Sequence, residues 1–183
     1  MSTSHQALSA LITRNGAVPE AVNKLAQFLV QRALPNTAYA TADQTVIGTT
    51  LAASSYLVIA NGVGYNGGKA VVGGRKYRLE GRLFTTSTAS NGLKFDLGAS
   101  TAAFGNIRGL YLGFASATVA ASATVTATTT ALSSANTILE AQIDVALEAT
   151  DSGSIGLRFA ESANSTGVIL LRGSWLSLTE IAS

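Results

Sequence analysis

The chain has no cysteine and one histidine, His5, in 183 residues. Without thiols there is no disulfide scaffold and no thiol chemistry, and one histidine without cysteine excludes metal ligation by those two residue types. A Ser/His/Asp arrangement would have to be built on His5, in a terminal segment with no acidic neighbour, which leaves that chemistry without support. Charge is also scarce: 12% of residues are Asp, Glu, Lys or Arg, against 47% hydrophobic. Ala, Gly, Ser and Thr make up about half of the chain, so small neutral groups must cover most of the surface. That composition predicts a homo-oligomer in which apolar surface is buried between copies. No aliphatic run exceeds the four residues 168–171, and residues 1–5 have no cationic start leading into an apolar stretch. Neither a membrane span nor a signal peptide is expected, and no membrane partner with them.

Twelve cations against ten anions leave a net charge of +2, too weak and too dispersed to imply a nucleic-acid partner. The densest cluster is Arg75, Lys76, Arg78 and Arg82. With Glu80 among them, it reads as the solvated face of a strand in preference to a phosphate patch. No basic groove interleaved with aromatics accompanies it.

What is present is alternation. In residues 77–84, Tyr77, Leu79 and Leu83 fall on one side and Arg78, Glu80 and Arg82 on the other, the period of a half-buried antiparallel strand. Turn signals at Gly73-Gly74 and Asn91-Gly92 flank it, and Leu93, Phe95 and Leu97 alternate beyond the second. Further strands are expected over residues 45–51, 55–60, 107–114, 138–149, 168–172 and 175–181, and around Ile155, Leu157 and Phe159. Residues 115–135, rich in Ala, Ser, Thr and Val, read as two strands around a turn, with a disordered linker as the competing reading. Tyr77, Leu79, Leu83, Phe95, Phe159 and Trp175 are the expected core anchors, with ligand stacking the rival role for Tyr77 and Trp175.

Before the strands the period changes. Ala7, Leu8, Leu11 and Ile12 recur at helical spacing after Ser4, and Val22, Leu25, Ala26, Leu29 and Ala33 do so after Pro19. Two short helices are expected, then a polar linker over residues 36–44, which divides a helical arm (1–44) from a β domain (45–183). Leu8, Leu11, Ile12, Val22, Leu25, Phe28 and Leu29 are the candidate partner contacts, because Phe28 lies off the main stripe and makes the second helix apolar on more than one side.

Candidate chemistry is thin. The loop 62–67 fits a dinucleotide-binding glycine pattern, but no helix follows to hold a pyrophosphate, so no cofactor is expected. Glu140, Asp144 and Glu148 fall on one face of their strand as candidate acid/base carboxylates, with a solvated polar face as the simpler account. No catalytic residue and no enzyme activity are expected.

Residues 74–84 and 91–95 resemble the central hairpin of a family of tailed-phage virion proteins, and residues 153–159 and 171–176 are similar to that family's closing strands. The resemblance covers roughly residues 45–183. It implies a mainly β fold, an antiparallel jelly-roll sandwich of tumour-necrosis-factor type, assembled as a homotrimer. The implied role is a capsid decoration (cement) protein bound across adjacent copies of the major capsid protein, made in the host cytoplasm and located in the virion. A tail-fibre or neck-appendage module that meets a host receptor is the alternative, and a glycan-active enzyme using Glu140, Asp144 or Glu148 is the rival from another class.

Overall fold

The computed structural model describes residues 36–53, 69–88, 91–100, 104–163 and 167–182, and Thr37–Ser183 forms one compact unit. The two expected helices, the contacts Leu8, Leu11, Ile12, Val22, Leu25, Phe28 and Leu29, the strand 55–60 and the glycine loop 62–67 lie outside the described residues. Those residues carry no helix and thirteen strands. In chain order these are β1 (Asn36–Tyr39), β2 (Gln44–Val46), β3 (Ala52–Ala53), β4 (Lys69–Val71), β5 (Arg75–Phe84), β6 (Leu93–Ser100), β7 (Phe104–Ala115), β8 (Thr118–Val125), β9 (Leu132–Ser134), β10 (Glu140–Ala149), β11 (Gly153–Ala160), β12 (Val168–Leu170) and β13 (Trp175–Ala182).

The protein is mainly β, and the strand pairs β5–β10, β7–β10, β6–β11, β5–β13 and β7–β8 are all antiparallel. One sheet has the order β1-β13-β5-β10-β7-β8, a second has β3-β11-β6-β9 with β4 also on β11, and β2 pairs with β12. The order follows from the alternation along β5. Leu79 lies opposite Val145 on β10 and Leu178 on β13, so three apolar side chains make one inward row. Leu83 opposite Ala141 makes another. The low-complexity tract forms two strands about a turn, β8 and β9; β-branched Thr and Val fit β8 to an extended, half-buried chain, and β9 is short, with Leu132 buried.

The two larger sheets share one core. Phe95 lies between Phe159 on β11 and Leu132 on β9, and its ring meets Tyr111 of the other sheet at 5.0 Å between centroids, tilted by 51°. Tilted aromatic pairs of this kind add stabilisation beyond the area they bury. Glycines in the first sheet make room for close approach: a methyl group on Gly81 would meet Leu176 and the Trp175 carbonyl at 2.8 Å.

Two sequence expectations change here. Residues 36–44 are not a polar linker throughout, because β1 joins the edge of the six-stranded sheet and buries Ala38 and Ala40. Small side chains can fill an inner row, so low hydrophobicity concealed the strand. The compact unit accordingly begins at Thr37, ahead of the expected boundary at Gln44. Trp175 is not a core anchor: it is half-buried and lies opposite the exposed Arg82, while its neighbour Leu176 takes the inward place. Tyr77, Leu79, Leu83, Phe95 and Phe159 are all buried, and the Tyr77 hydroxyl accepts a bond from the Val72 N–H at 2.9 Å.

Polar groups inside the unit tie loops to sheets. Asp96 is 1% exposed and accepts a bidentate bond from Arg158, with Nε to Oδ1 at 2.8 Å. The Glu161 carboxylate, fully buried, accepts the Gly48 and Gly167 N–H groups at 2.5 Å each. Ser87 Oγ accepts from the Ile138 N–H and donates to the Ile138 carbonyl. The Tyr111 hydroxyl, by contrast, has no hydrogen-bond partner among the described residues.

Replacing Arg158 with Met is expected to destabilise the protein by about 3 kcal/mol, because it strands the buried Asp96 carboxylate. Urea unfolding midpoints measure the loss. Tyr111→Phe should act the other way, stabilising by about 1 kcal/mol through removal of an unsatisfied hydroxyl. Burial, and after it the Asp96 charge, push the Tyr111 phenol above its ordinary value of 10.0. The unfolded chain therefore releases this proton first, and wild-type stability falls as pH rises above that ordinary value. The advantage of Tyr111→Phe should widen in unfolding curves taken in that alkaline range.

Candidate binding surface

The outer face of the six-stranded sheet carries most of the charged side chains that the sequence singles out, and the strand registers place them in rows. One row runs Trp175, Arg82, Gln142, Leu112 and Ser122 across β13, β5, β10, β7 and β8. β1 extends it: Thr37 Oγ1 donates to Ser177 Oγ at 2.9 Å and the Ala40 N–H donates to the Ser174 carbonyl at 2.8 Å. That spacing sets Tyr39, which is 60% exposed, across from Trp175. The next row runs Ser177, Glu80, Asp144, Leu110 and Thr124.

Glu80 and Asp144 are thus directly opposed, an arrangement that like charges resist. Arg78 resolves it. Its guanidinium donates two bonds of 3.0 Å to Asp144 and lies 3.3 Å from Glu80. These interactions hold Arg78 above its ordinary value, the hydrogen bond to Asp144 contributing most, then the charges of Asp144 and Glu80. Arg82 reaches diagonally to Glu140 at 3.2 Å, and Arg75 meets Glu180 at 3.4 Å. Of the basic cluster of the sequence, Arg75, Arg78 and Arg82 are thus paired with acids, while Lys76 is exposed and makes no ion pair among the described residues. Arg108 also lies on this face, between two shallow depressions. The first, of about 550 Å³, is lined by Arg78, Arg108, Leu110, Leu112, Gln142 and Asp144.

The candidate acid/base carboxylates are spoken for in the same way. Glu140 pairs with Arg82, Asp144 with Arg78, and Glu148 accepts a bond from Asn106 Nδ2 at 2.9 Å. Four residues along a strand separate neighbouring members by roughly 13 Å at about 3.3 Å per residue. Paired glycosidase carboxyls stand ~5–9.5 Å apart, so these three do not form such a pair. Among the described residues no group of three His, Cys, Asp or Glu side chains could hold a metal ion. The arrangement can bind, through planar guanidinium, amide and aromatic groups on a shallow face. Sequence reasoning placed the charges on this face but missed Tyr39, whose strand it read as linker; a single aromatic between two alanines was the available signal.

No family model matches the chain, and no curated protein matches it. Among solved structures it is similar to the CBM22-1 and GH10 modules of a Clostridium thermocellum endo-1,4-β-D-xylanase in complex with xylohexaose, at 14% identity and a TM-score of 0.30. That match covers 82% of this chain and 28% of the other. It is also similar to the VP2 subviral particle of infectious bursal disease virus, at 11% identity and a TM-score of 0.21, over 81% of this chain and 41% of that one. Likenesses this low carry no argument about fold or function.

Arg78→Ala leaves Glu80 facing Asp144 without a cation between them. The variant is expected to be less stable than wild type and to recover part of the loss in added salt, which screens the exposed repulsion. Thermal unfolding at low and high ionic strength reads both effects.

Proposed function

We propose that this chain is a structural protein of a tailed-phage particle, a homotrimeric jelly roll that decorates the capsid by binding across adjacent capsid subunits. The observation that carries the reading is how the body spends its few charges. Arg75, Arg78, Arg82 and Arg158 are each paired with acids of the same chain. Large apolar side chains meanwhile stand exposed, among them Tyr39, Ile47, Val72, Val119, Leu139 and Ile181. A surface poor in charge, with four arginines already paired and apolar groups at scattered points, suits burial against other proteins, and it fits the resemblance to phage virion proteins. Such a protein works by buried area and matched symmetry, clamping neighbours together.

One observation favours the tail-fibre or neck-appendage reading. Tyr39 and Trp175 share the outermost end of one row, beside Arg82, where an aromatic platform could meet a host-surface group. Gold-labelled antibody against the chain, applied to particles of the phage that encodes it, separates the two. Label over the head supports decoration, label confined to the tail or neck supports the appendage, and particles without label overturn the virion reading. In the same particles, deletion of residues 1–34 is expected to leave a folded β body that no longer attaches. Circular dichroism and labelling together check that outcome.

A further inference from the structure

We infer that β8 is a self-association edge, at which two copies of the chain pair antiparallel about a two-fold axis and join their six-stranded sheets. β8 ends that sheet, and among the described residues it pairs only with β7. Its far side presents a row of backbone donors and acceptors, which natural edges normally blunt with lysine or proline. Here nothing blunts it. From residue 109 to residue 139 the chain carries no charged residue and no proline, although charges lie close on either side at Arg108 and Glu140.

The core is also open at this edge. Ala121 and Ala123 pack against the buried cluster but remain partly exposed, because among the described residues no further strand covers them. The register shift beside Phe114 leaves residues 121–125 as the regular part of the ladder, with Ala121, Ala123 and Val125 inward and Ser122 and Thr124 outward. A two-fold axis normal to the sheet keeps inner faces together only if it passes through a residue. Centred on Ala123, it sets Ala123 against its own copy and Ala121 against Val125 on the inner face. On the outer face, Ser122 meets Thr124, a hydroxyl pair that cross-strand neighbours favour. Every opposed pair is sterically small or polar-matched, and no like charges meet. A foreign peptide strand would gain only the shallow depression at the end of β8, bordered by Thr124, Val125 and Thr126, whereas peptide recognition at sheet edges reads alternate side chains in pockets along the strand. A second copy is therefore the occupant.

This contact does not rest on the capsid reading, and being two-fold it would link one threefold assembly to the next. The absence of native cysteine permits a direct test. Ala123→Cys places two thiols at the axis, where directly opposed Cα atoms stand about 4.5–5.5 Å apart, within disulfide range. Under mild oxidation it should give a two-chain band on non-reducing gels, whereas Thr129→Cys, exposed in the turn before β9, should not. Ser122→Lys, on an exposed outer position, should keep the circular dichroism of wild type and reduce the sedimenting mass at least twofold. The inference is overturned if folded Ala123→Cys cross-links no better than Thr129→Cys, or if Ser122→Lys sediments like wild type. A wild type that sediments as single chains would leave the edge to another partner and would also overturn it.

Discussion

The register between β5 and β10 is the constraint on which the rest of the sheet depends. It sets Leu79 against Val145 and Leu83 against Ala141 on the inside, and it forces Glu80 against Asp144 on the outside. A slip of one residue would turn Arg78, Glu80 and Arg82 into the core, at a cost no packing gain could offset. Arg78, reaching both acids, makes the one awkward pairing tolerable. The same few side chains therefore fix the register and pair the charges of its central rows.

Once β5 and β10 are fixed, their neighbours follow. β13 and β7 add inward rows on either side, and Tyr111 on β7 carries the core across to Phe95 in the second sheet. Buried polar groups then close the ends. Glu161 gathers two loop N–H groups, and Ser87 satisfies both backbone groups of Ile138. All but the Gly167 contact join residues far apart in the chain, and in each an unpaired buried donor or acceptor would be costly. At β8 no such closure exists among the described residues, so the edge of the sheet and the margin of the core coincide.

The strands were legible wherever large apolar and charged residues alternate, as in β5, β6 and β10, because period-2 patterning is a local property of the chain. β8 was legible from its β-branched Thr and Val, whereas β9, Leu-Ser-Ser, carries no β-branched residue of its own. β1 was hidden, since alanine fills an inner row without announcing itself as hydrophobic. Trp175 misled for a related reason: an indole is large and apolar, yet its placement depends on which neighbour, here Leu176, takes the inward position. The charges of β5 were visible as a cluster, but their pairing with Glu140, Asp144 and Glu180 was not, because those acids lie on strands distant in sequence.

By itself, then, the sequence determined the mainly β character, the poverty of charge and the faces of the central strands, all set by side-chain chemistry over a few residues. Only the tertiary structure decided which strands became neighbours and which cations met which acids. It also decided that Tyr39 would join Trp175, that Asp96 would be buried with Arg158, and that β8 would stand at an edge. Those outcomes depend on closing long loops into one register, and a register is a property of paired strands that no single strand contains.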